Sequence, residues 1–455
     1  GFVVHDRERF VGVEVWHTDL PSIGVRYADL MILRFNSVRP VGYNRGDWPS
    51  HPPFSLMPIH ATHPRTGDTI TASVAGAAIV ISPRYGASAS FDQAGRLLGL
   101  FSGERSYQRT LDHRVLERLS GTGARRRELP PDEADALIAD LFADLRDLAG
   151  VVPALDLSPG DRDLLADALA RALAFGAERL ADDGAAFRAL YKPVSILPPD
   201  QYLALVLQAT EGCSWNRCTF CGLYRDRAFR IHSPESFAAH CEAVRDFYGA
   251  GISLRRGIFL ADANALITPQ KRLIRLLEIA QAYFALPDGP RPIYSFVSAF
   301  DVERKSPAEW AQLHALGVQR AYIGLETGDD DLLRFLNKPG TAQDAIDAVC
   351  ALRAGGISAG VIVMAGIGGE QFAGAHVTRT MDVIRAMNLG PGDLVYLSNY
   401  VPAPGTEYPA QAAAAGIRPL SDGEIAAQLQ TIQARLREQL PGVKVAPYRV
   451  DGFAL

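Results

Sequence analysis

The stretch Tyr202-Leu203-Ala204-Leu205-Val206-Leu207-Gln208 is an almost continuous apolar run, and an amphipathic helical pattern follows it at residues 233–248. This alternation occurs six times. The predicted strands are residues 202–208, 257–261, 293–299, 320–325, 358–365 and 394–399. The predicted helices are residues 233–248, 269–284, 307–316, 330–335 with 341–354, 374–387 and 421–439. Apolar strands separated by helices are typical of a parallel sheet covered on both faces, with right-handed crossovers. Six units predict an α/β fold, an open partial (β/α)6 TIM-like barrel with its active site at the C-terminal ends of the strands.

The rest of the chain differs from this pattern. Residues 1–129 contain short β-prone runs broken by Gly, Pro and Asp, including a predicted hairpin around Gly95, and are expected to form a mostly β accessory region. Residues 130–197 carry Ala, Leu, Asp and Arg at helical spacing, which predicts a helical connector. The barrel is expected over residues 198–410, followed by a C-terminal helical extension at 411–455. From its position, the accessory region is hypothesised to act as a lid or a substrate platform.

Composition and charge narrow the classes of function. The chain has 455 residues, a formal net charge of -5 and a pI near 6.1, so it lacks the basic field that nucleic-acid binding usually needs. No charge-free apolar stretch of about 18 residues occurs, and we expect no membrane span. The start, Gly1-Phe2-Val3-Val4, lacks the basic residues and long apolar core of a signal peptide, so a cytoplasmic location is expected.

The cysteines point to a metal centre. Three of the five, Cys213, Cys218 and Cys221, fall within nine residues of the loop that follows the first strand. Clustered thiols in so long a chain indicate metal ligands rather than disulfides. An iron–sulfur cubane normally takes four ligands, so three cysteines leave one iron open to a small molecule. The alternative is a structural zinc site completed by a histidine such as His232 or His240.

Other candidate ligands have more ordinary interpretations. Cys241 and Cys350 lie in predicted helices and are expected to be small buried residues. His60 and His63 suggest a second metal, but unclustered surface histidines are the commoner case. No cysteine follows Cys350, so we expect no C-terminal auxiliary cluster. No cobalamin-binding pattern is evident.

The loop sequence EGCSWNRCTFCGLY, residues 211–224, resembles the cluster motif of the radical S-adenosylmethionine (SAM) superfamily, and the resemblance covers about residues 200–408. Most members of that family space the cysteines as CxxxCxxC, whereas this chain reads CxxxxCxxC. Further stretches are similar to the branch containing oxygen-independent coproporphyrinogen oxidases and methylthiotransferases: YIGLETG (322–328) with LNKPGT (336–341), VIVMAGIGGE (361–370) and PAPGTEY (402–408).

This resemblance implies a chemistry. The three cysteines would hold a [4Fe-4S] cluster, and SAM would bind the open iron through its amino and carboxylate groups. The reduced cluster would cleave SAM to methionine and a 5'-deoxyadenosyl radical, which abstracts hydrogen from a small-molecule or lipid-like substrate. An electron donor of the flavodoxin or ferredoxin type is implied as a partner. The alternative function is haem trafficking by a cluster-bearing relative of the coproporphyrinogen oxidases.

The resemblance also implies contacts to the polar groups of SAM. Asp262 and Asn264 end the second strand, where the family often has a Gly-Gly-Glu stretch that contacts the SAM amino group. The glycines are missing here, so the two residues are candidates only. Ser298 and Glu326, at the third and fourth strand ends, are placed to bind ribose hydroxyls or the methionyl amine. Asp262 and Glu326 have a second interpretation as strand-end capping groups.

Two further residues are candidates for the adenine site. Phe220 is the aromatic residue beside the third cysteine, and the resemblance places it against adenine. Gly366, at the fifth strand end, would allow the adenine to approach closely. A simple turn is the alternative interpretation of the glycines at 366, 368 and 369.

Overall fold

The computed structural model describes residues 58–74, 76–119, 126–302 and 305–448. The chain divides into two compact units, residues 1–181 and 182–455. Much of the predicted β region, residues 1–57 and 120–125, lies outside the described residues. Within the described ranges, no helix combines the length and apolar character that crossing a membrane requires.

The first unit contains an eight-stranded antiparallel sheet in which each strand pairs with the next one along the chain. Strands β1 to β8 are Ile59–Thr62, Thr69–Ser73, Ala78–Arg84, Ala87–Asp92, Leu97–Ser102, Arg105–Arg109, Val115–Arg118 and Arg126–Glu128. The predicted hairpin is confirmed, because Gly95 connects β4 to β5 with a φ of 91° that favours glycine. Helices α1 (Pro131–Val151) and α2 (Pro159–Leu190) follow the sheet. Phe91 of the sheet shares one buried core with Phe142 and Leu169, so these helices complete the first unit's core.

The second unit contains a seven-stranded parallel sheet. Its strands are β9, β12, β13, β14, β15, β16 and β17, which span Leu205–Gln208, Ile258–Ala261, Ile293–Phe296, Val318–Glu326, Ser358–Ala365, Leu394–Asn399 and Lys444–Tyr448. Strands β10 (Thr210–Glu211) and β11 (Arg230–Ile231) form a separate antiparallel pair. Helices α3 to α11 are Pro234–Tyr248, Gln270–Phe284, Ala299–Val302, Pro307–Ala315, Asp330–Phe335, Ala342–Ala354, Gly369–Ala386, Tyr408–Ala414 and Asp422–Gln439.

Local sequence accounts for several helix starts. Ser306, Thr341 and Ser421 each accept a hydrogen bond from the backbone N–H three residues later, and the acidic side chain there bonds back to the cap. This capping box satisfies N–H groups that otherwise lack partners in the first turn. The serine and threonine signals therefore determine where helices α6, α8 and α11 begin.

The α/β fold with a parallel sheet is confirmed, and all six predicted strands are present. The structure adds β17 inside residues 411–455, which the sequence assigns to a helical extension. This strand is short and contains Pro447, and a proline is tolerated because β17 lies at the edge of the sheet. Helix α9 begins at Gly369 rather than at 374, since the glycines taken for a turn also form the helix start. Strand β13 ends at Phe296, short of the predicted 299.

Candidate functional site

The cysteine loop is closed at its base. Strands β10 and β11 pair Thr210 with Ile231 and Glu211 with Arg230, so the chain leaves and returns to the sheet at one point. The Glu211 carboxylate accepts hydrogen bonds from the Arg230 guanidinium at 2.5 Å and approaches Nε2 of His232 at 3.1 Å. The base of the loop that carries the cysteines is therefore anchored at the C-terminal edge of the parallel sheet.

The structure brings Cys213, Cys218 and Cys221 into one neighbourhood. Burial, with smaller contributions from the other two thiols, raises the pKa of Cys218 to about 11 against the opposing effect of Lys338. Burial also raises the pKa of Cys221. Asn216 adopts a left-handed conformation with φ 51°, and its backbone N–H donates to the Cys213 sulfur at 3.4 Å. Asparagine tolerates this conformation better than most residues, which accommodates the longer first spacing of the motif.

A set of three hydrogen bonds, here called the loop clamp, joins the cysteine loop to the turn after α7. Trp215 Nε1 donates to the Asn337 carbonyl at 2.8 Å, and Asn337 Nδ2 donates to the Arg217 carbonyl at 2.9 Å. The Thr219 N–H donates to the Leu336 carbonyl at 3.0 Å. Sequence reasoning missed the clamp, although the LNKPGT stretch that supplies it was part of the resemblance.

An ion pair lies beside the cysteines. Lys338 Nζ is 3.5 Å from Glu326 Oε1, and the buried Oε2 of Glu326 has no hydrogen-bond partner in the part of the chain that the structure describes. Burial raises the pKa of Glu326 despite the opposing effect of Lys338. Burial lowers the pKa of Lys338 because it favours the neutral amine. The charges of Glu326 and the three cysteines have the opposite and larger combined effect, so the pKa is raised. Glu326 also has a φ of 62°, a strained conformation for glutamate that is typical of functional positions. The sequence singled out Glu326 but not Lys338.

Asp262 supports the loop from the second strand end. Its Oδ2 accepts the Gly212 N–H at 2.9 Å and lies 3.6 Å from Nη1 of Arg227, and its Oδ1 accepts from Gln208 Nε2 at 3.3 Å. Burial raises the pKa of Asp262. Both carboxylate oxygens thus have protein partners, as in the capping interpretation, and contact with SAM stays a prediction for this residue.

Asn264 connects the cysteine loop to the third strand end. Its Nδ2 donates to Ser214 Oγ and to Asp301 Oδ2, both at 2.8 Å. Its Oδ1 accepts the Ser298 N–H at 3.0 Å. The structure therefore brings Asn264 and Ser298 together, and it places them within one hydrogen-bonded path to the loop.

Phe220 and Gly366 have structural surroundings of their own. Phe220 packs against a hydrophobic cluster that includes Leu336 and Tyr408. Gly366 has a φ of 84°, and its N–H donates to Gln428 Oε1 at 2.8 Å. A Cβ at Gly366 would lie 3.0 Å from side-chain atoms of Ile425, so helix α11 already requires glycine there. Contact of these two residues with adenine stays a prediction.

The two histidines proposed for a zinc site have other partners. His232 pairs with Glu211, and His240 Nε2 accepts the Gln208 N–H at 3.1 Å. Among the described residues, no three His, Cys, Asp or Glu side chains are arranged to hold one metal ion. A cubane binds each cysteine through a different iron, so its thiolates need not converge on one point. Three thiols beside a buried ion pair fit a [4Fe-4S] cluster with an open iron.

The remaining candidate metal ligands are one histidine of the first unit and the two cysteines outside the loop. His63 is buried, with Nδ1 accepting backbone N–H groups and Nε2 3.2 Å from Asp147, which favours a packing role. Cys241 is buried as expected. The prediction for Cys350 was wrong, because this cysteine is exposed on α8.

Comparison with known proteins finds one family model and several proteins to which this chain is similar. Residues 207–378 match the model of the Radical SAM superfamily. A curated relative, 4'-phospho-dehydrooxetanocin synthase of Priestia megaterium, is 26% identical over 169 residues, which are 34% of this chain and 22% of the relative. The chain thus spans about a fifth of the length of that relative.

Solved structures to which this chain is similar include coproporphyrinogen III oxidase of Escherichia coli, described as a radical SAM enzyme, at 16% identity and a TM-score of 0.40 over 55% of each chain. Methylornithine synthase is 16% identical with a TM-score of 0.36 over 57% of this chain and 80% of that one. Streptococcus suis SuiB bound to SAM is 12% identical with a TM-score of 0.39 over 76% of this chain and 72% of that one. The match to the Radical SAM superfamily model over residues 207–378 includes the three cysteines and Glu326, and it indicates an enzyme with a [4Fe-4S] cluster and SAM as cofactors.

Proposed function

We propose that this enzyme reductively cleaves SAM to methionine and a 5'-deoxyadenosyl radical, which abstracts hydrogen from a small-molecule or lipid-like substrate. The observation that carries the proposal is the site's composition. Three neighbouring thiols lie on a clamped loop at the C-terminal edge of a parallel sheet, next to a partly buried ammonium and a carboxylate oxygen that has no partner among the described residues.

Each of these groups has a role in binding the cofactors. Cys213, Cys218 and Cys221 would hold the cluster, which supplies the electron for cleavage of the SAM sulfonium bond. The Lys338 ammonium is suited to the carboxylate of SAM, because a buried charged hydrogen bond is stronger than a neutral one. Oε2 of Glu326 is suited to accept a hydrogen bond from the amino group or a ribose hydroxyl. These contacts would orient SAM and keep water from the radical.

The outer side of the cysteine loop suits an electron donor of the flavodoxin or ferredoxin type. Arg225 is exposed and donates to the carbonyl oxygens of Cys218 at 3.1 Å and Cys221 at 3.4 Å. Arg217 is exposed beside Trp215, with its guanidinium 5.6 Å from the ring centroid. Glu407 Oε1 lies 3.9 Å from Arg225 Nη2 and offsets part of its charge. The remaining positive charge of Arg217 and Arg225 beside the cysteine loop would attract an acidic electron carrier.

The test is anaerobic reconstitution with iron and sulfide, followed by addition of dithionite and SAM and quantification of 5'-deoxyadenosine. Wild type and the matched control Cys350→Ala should form it, because Cys350 lies on a helix surface away from the loop. Cys218→Ala should not. Equal yields from wild type and Cys218→Ala, or no product from an assembled cluster that SAM leaves unperturbed, would contradict the proposal. Tight haem binding without SAM cleavage would instead indicate haem trafficking.

A further inference from the structure

Strand β17 brings one tyrosine to the same edge of the sheet as the cysteine loop. It runs parallel to β16, with Tyr448 opposite Ser398, so Tyr448 lies near the C-terminal end of the strand pair. The C-terminal edge is where the cysteines and Glu326 also lie. The sequence assigned this part of the chain to a helical extension and contained no hint of a site residue there.

The Tyr448 hydroxyl is buried and unsatisfied. The residue is 3% exposed, and its ring lies 5.3 Å from the Tyr396 ring, centroid to centroid. Among the described residues, which end at Tyr448, its hydroxyl has no hydrogen-bond partner. The neighbouring hydroxyls differ, since Tyr322 donates to Asp200 at 2.6 Å and Tyr396 donates to Asp200 at 2.7 Å. Burying a polar group without a partner is unfavourable, so native proteins keep few of them and often use them for ligands.

Tyr448 shares its surroundings with the candidate cofactor site. Burial raises its pKa well above the ordinary value, and Tyr202, Tyr224, Tyr396 and Glu326 act in the same direction. Tyr224 in turn lies within electrostatic range of Asp262, Cys221 and Cys213. Register places Glu326 and Tyr448 at one level of the sheet, because Glu326 pairs with Val363, the next residue Met364 pairs with Ser398, and Ser398 pairs with Tyr448. Among the described residues, the buried Oε2 of Glu326 also has no hydrogen-bond partner.

We propose that the Tyr448 hydroxyl, together with Oε2 of Glu326, binds a polar group of SAM, either a ribose hydroxyl or the α-ammonium. The inference rests on the proposed function, since it places SAM in this barrel. A phenol can donate or accept and a carboxylate accepts, so both protein atoms have the chemistry to bond a ligand hydroxyl or ammonium. The sheet's seventh strand then belongs to the cofactor site rather than to a separate extension.

The experiment compares wild type, Tyr448→Phe and the control Tyr283→Phe, each reconstituted anaerobically, in titrations with S-adenosylhomocysteine. This probe keeps the ribose and ammonium of SAM but does not form the radical. Tyr283 is on α4 with its ring beside Arg245, so its variant should bind like wild type. Loss of one hydrogen bond should weaken binding to Tyr448→Phe about five- to tenfold. Binding equal to that of wild type would overturn the inference.

Two partial probes identify the ligand group. Methionine has the ammonium without the ribose, and 5'-deoxyadenosine has the ribose diol without the ammonium. The loss of binding affinity in Tyr448→Phe, relative to wild type, should appear with one probe and be absent with the other. Loss with neither probe, despite measurable binding to wild type, would count against a direct contact with either group.

Unfolding without ligand separates a ligand contact from a structural role. If the hydroxyl has no partner in the protein, Tyr448→Phe should unfold at the same urea midpoint as wild type or at a higher one. A lower midpoint would show that the hydroxyl bonds within the protein and would overturn the inference. Failure of the proposed function looks different, because wild type itself would then form no 5'-deoxyadenosine.

Discussion

The loop clamp makes a quantitative prediction about how firmly the cluster is held. Trp215→Phe removes the 2.8 Å bond to the Asn337 carbonyl but leaves an aromatic ring facing Phe300 and Arg217. Asn337→Gly removes the separate 2.9 Å bond to the Arg217 carbonyl and still allows the left-handed φ of 50° at that position. Each bond stabilises the closed loop by on the order of 1 kcal/mol net, so its loss should raise the fraction of molecules with an open loop about fivefold.

The assay is the rate at which an iron chelator removes the cluster from reconstituted protein, followed anaerobically by its visible absorbance. If chelation needs the loop to open, each single variant should lose the cluster about fivefold faster than wild type. The double variant, with up to about 2 kcal/mol removed, should lose it more than fivefold and at most roughly thirtyfold faster, because both bonds involve Asn337 and the effects of neighbouring contacts need not add in full.

The matched control is Asn388→Gly. Asn388 also has a left-handed φ, of 48°, but it follows helix α9 and lies outside the clamp. Its variant should lose the cluster at the wild-type rate. Wild-type rates in both Trp215→Phe and Asn337→Gly would refute the reasoning, since they would show that the clamp does not limit access to the cluster.

Three other predictions concern the site and its support. Lys338→Met should weaken SAM binding about ten- to hundredfold in equilibrium titrations, because a charged hydrogen bond is lost; binding at wild-type strength would exclude Lys338 as the carboxylate partner. Burial lowers the pKa of His376 from 6.5 to about 4, so the unfolded chain binds a proton more readily than the folded one between these pH values. The free energy of unfolding should therefore be unaffected by His376 above pH 6.5 and fall by roughly 3 kcal/mol in total as the pH drops towards 4. In urea unfolding, His376→Gln should lose this pH dependence, and an unchanged slope would contradict it. Gly328→Ala should destabilise by roughly 1–3 kcal/mol, because its Cβ would lie 2.7 Å from the Thr380 Cα, whereas the control Gly374→Ala has open space. Equal urea midpoints for these two alanine variants would count against the packing argument.

Much of the fold follows from local sequence. Apolar runs such as 358–365 and 394–399 alternate with helical patterns, and each pattern is set by residues close together in the chain. Parallel strands place their C-terminal ends at one edge, so the order of elements already places Cys213, Asn264 and Glu326 near one another. The cysteine spacing predicts three cluster ligands because that pattern is carried by nine consecutive residues.

Other features of the site depend on contacts between distant parts of the chain. Trp215 and Asn337 are 122 residues apart, and neither residue type on its own indicates a clamp. The pairing of Lys338 with Glu326 depends on the left-handed backbone at Glu326, which residue identity does not predict. Gly366 is required by helix α11 from a later part of the chain.

The sequence by itself determined the parallel α/β fold and the order of its elements, and it predicts three cluster ligands, because these depend on local periodicity and short spacing. The tertiary structure alone decided that β17 joins the sheet and that Tyr448 is buried beside the site. A short edge strand containing Pro447 has almost no local signature, and it forms only where β16 already offers backbone partners.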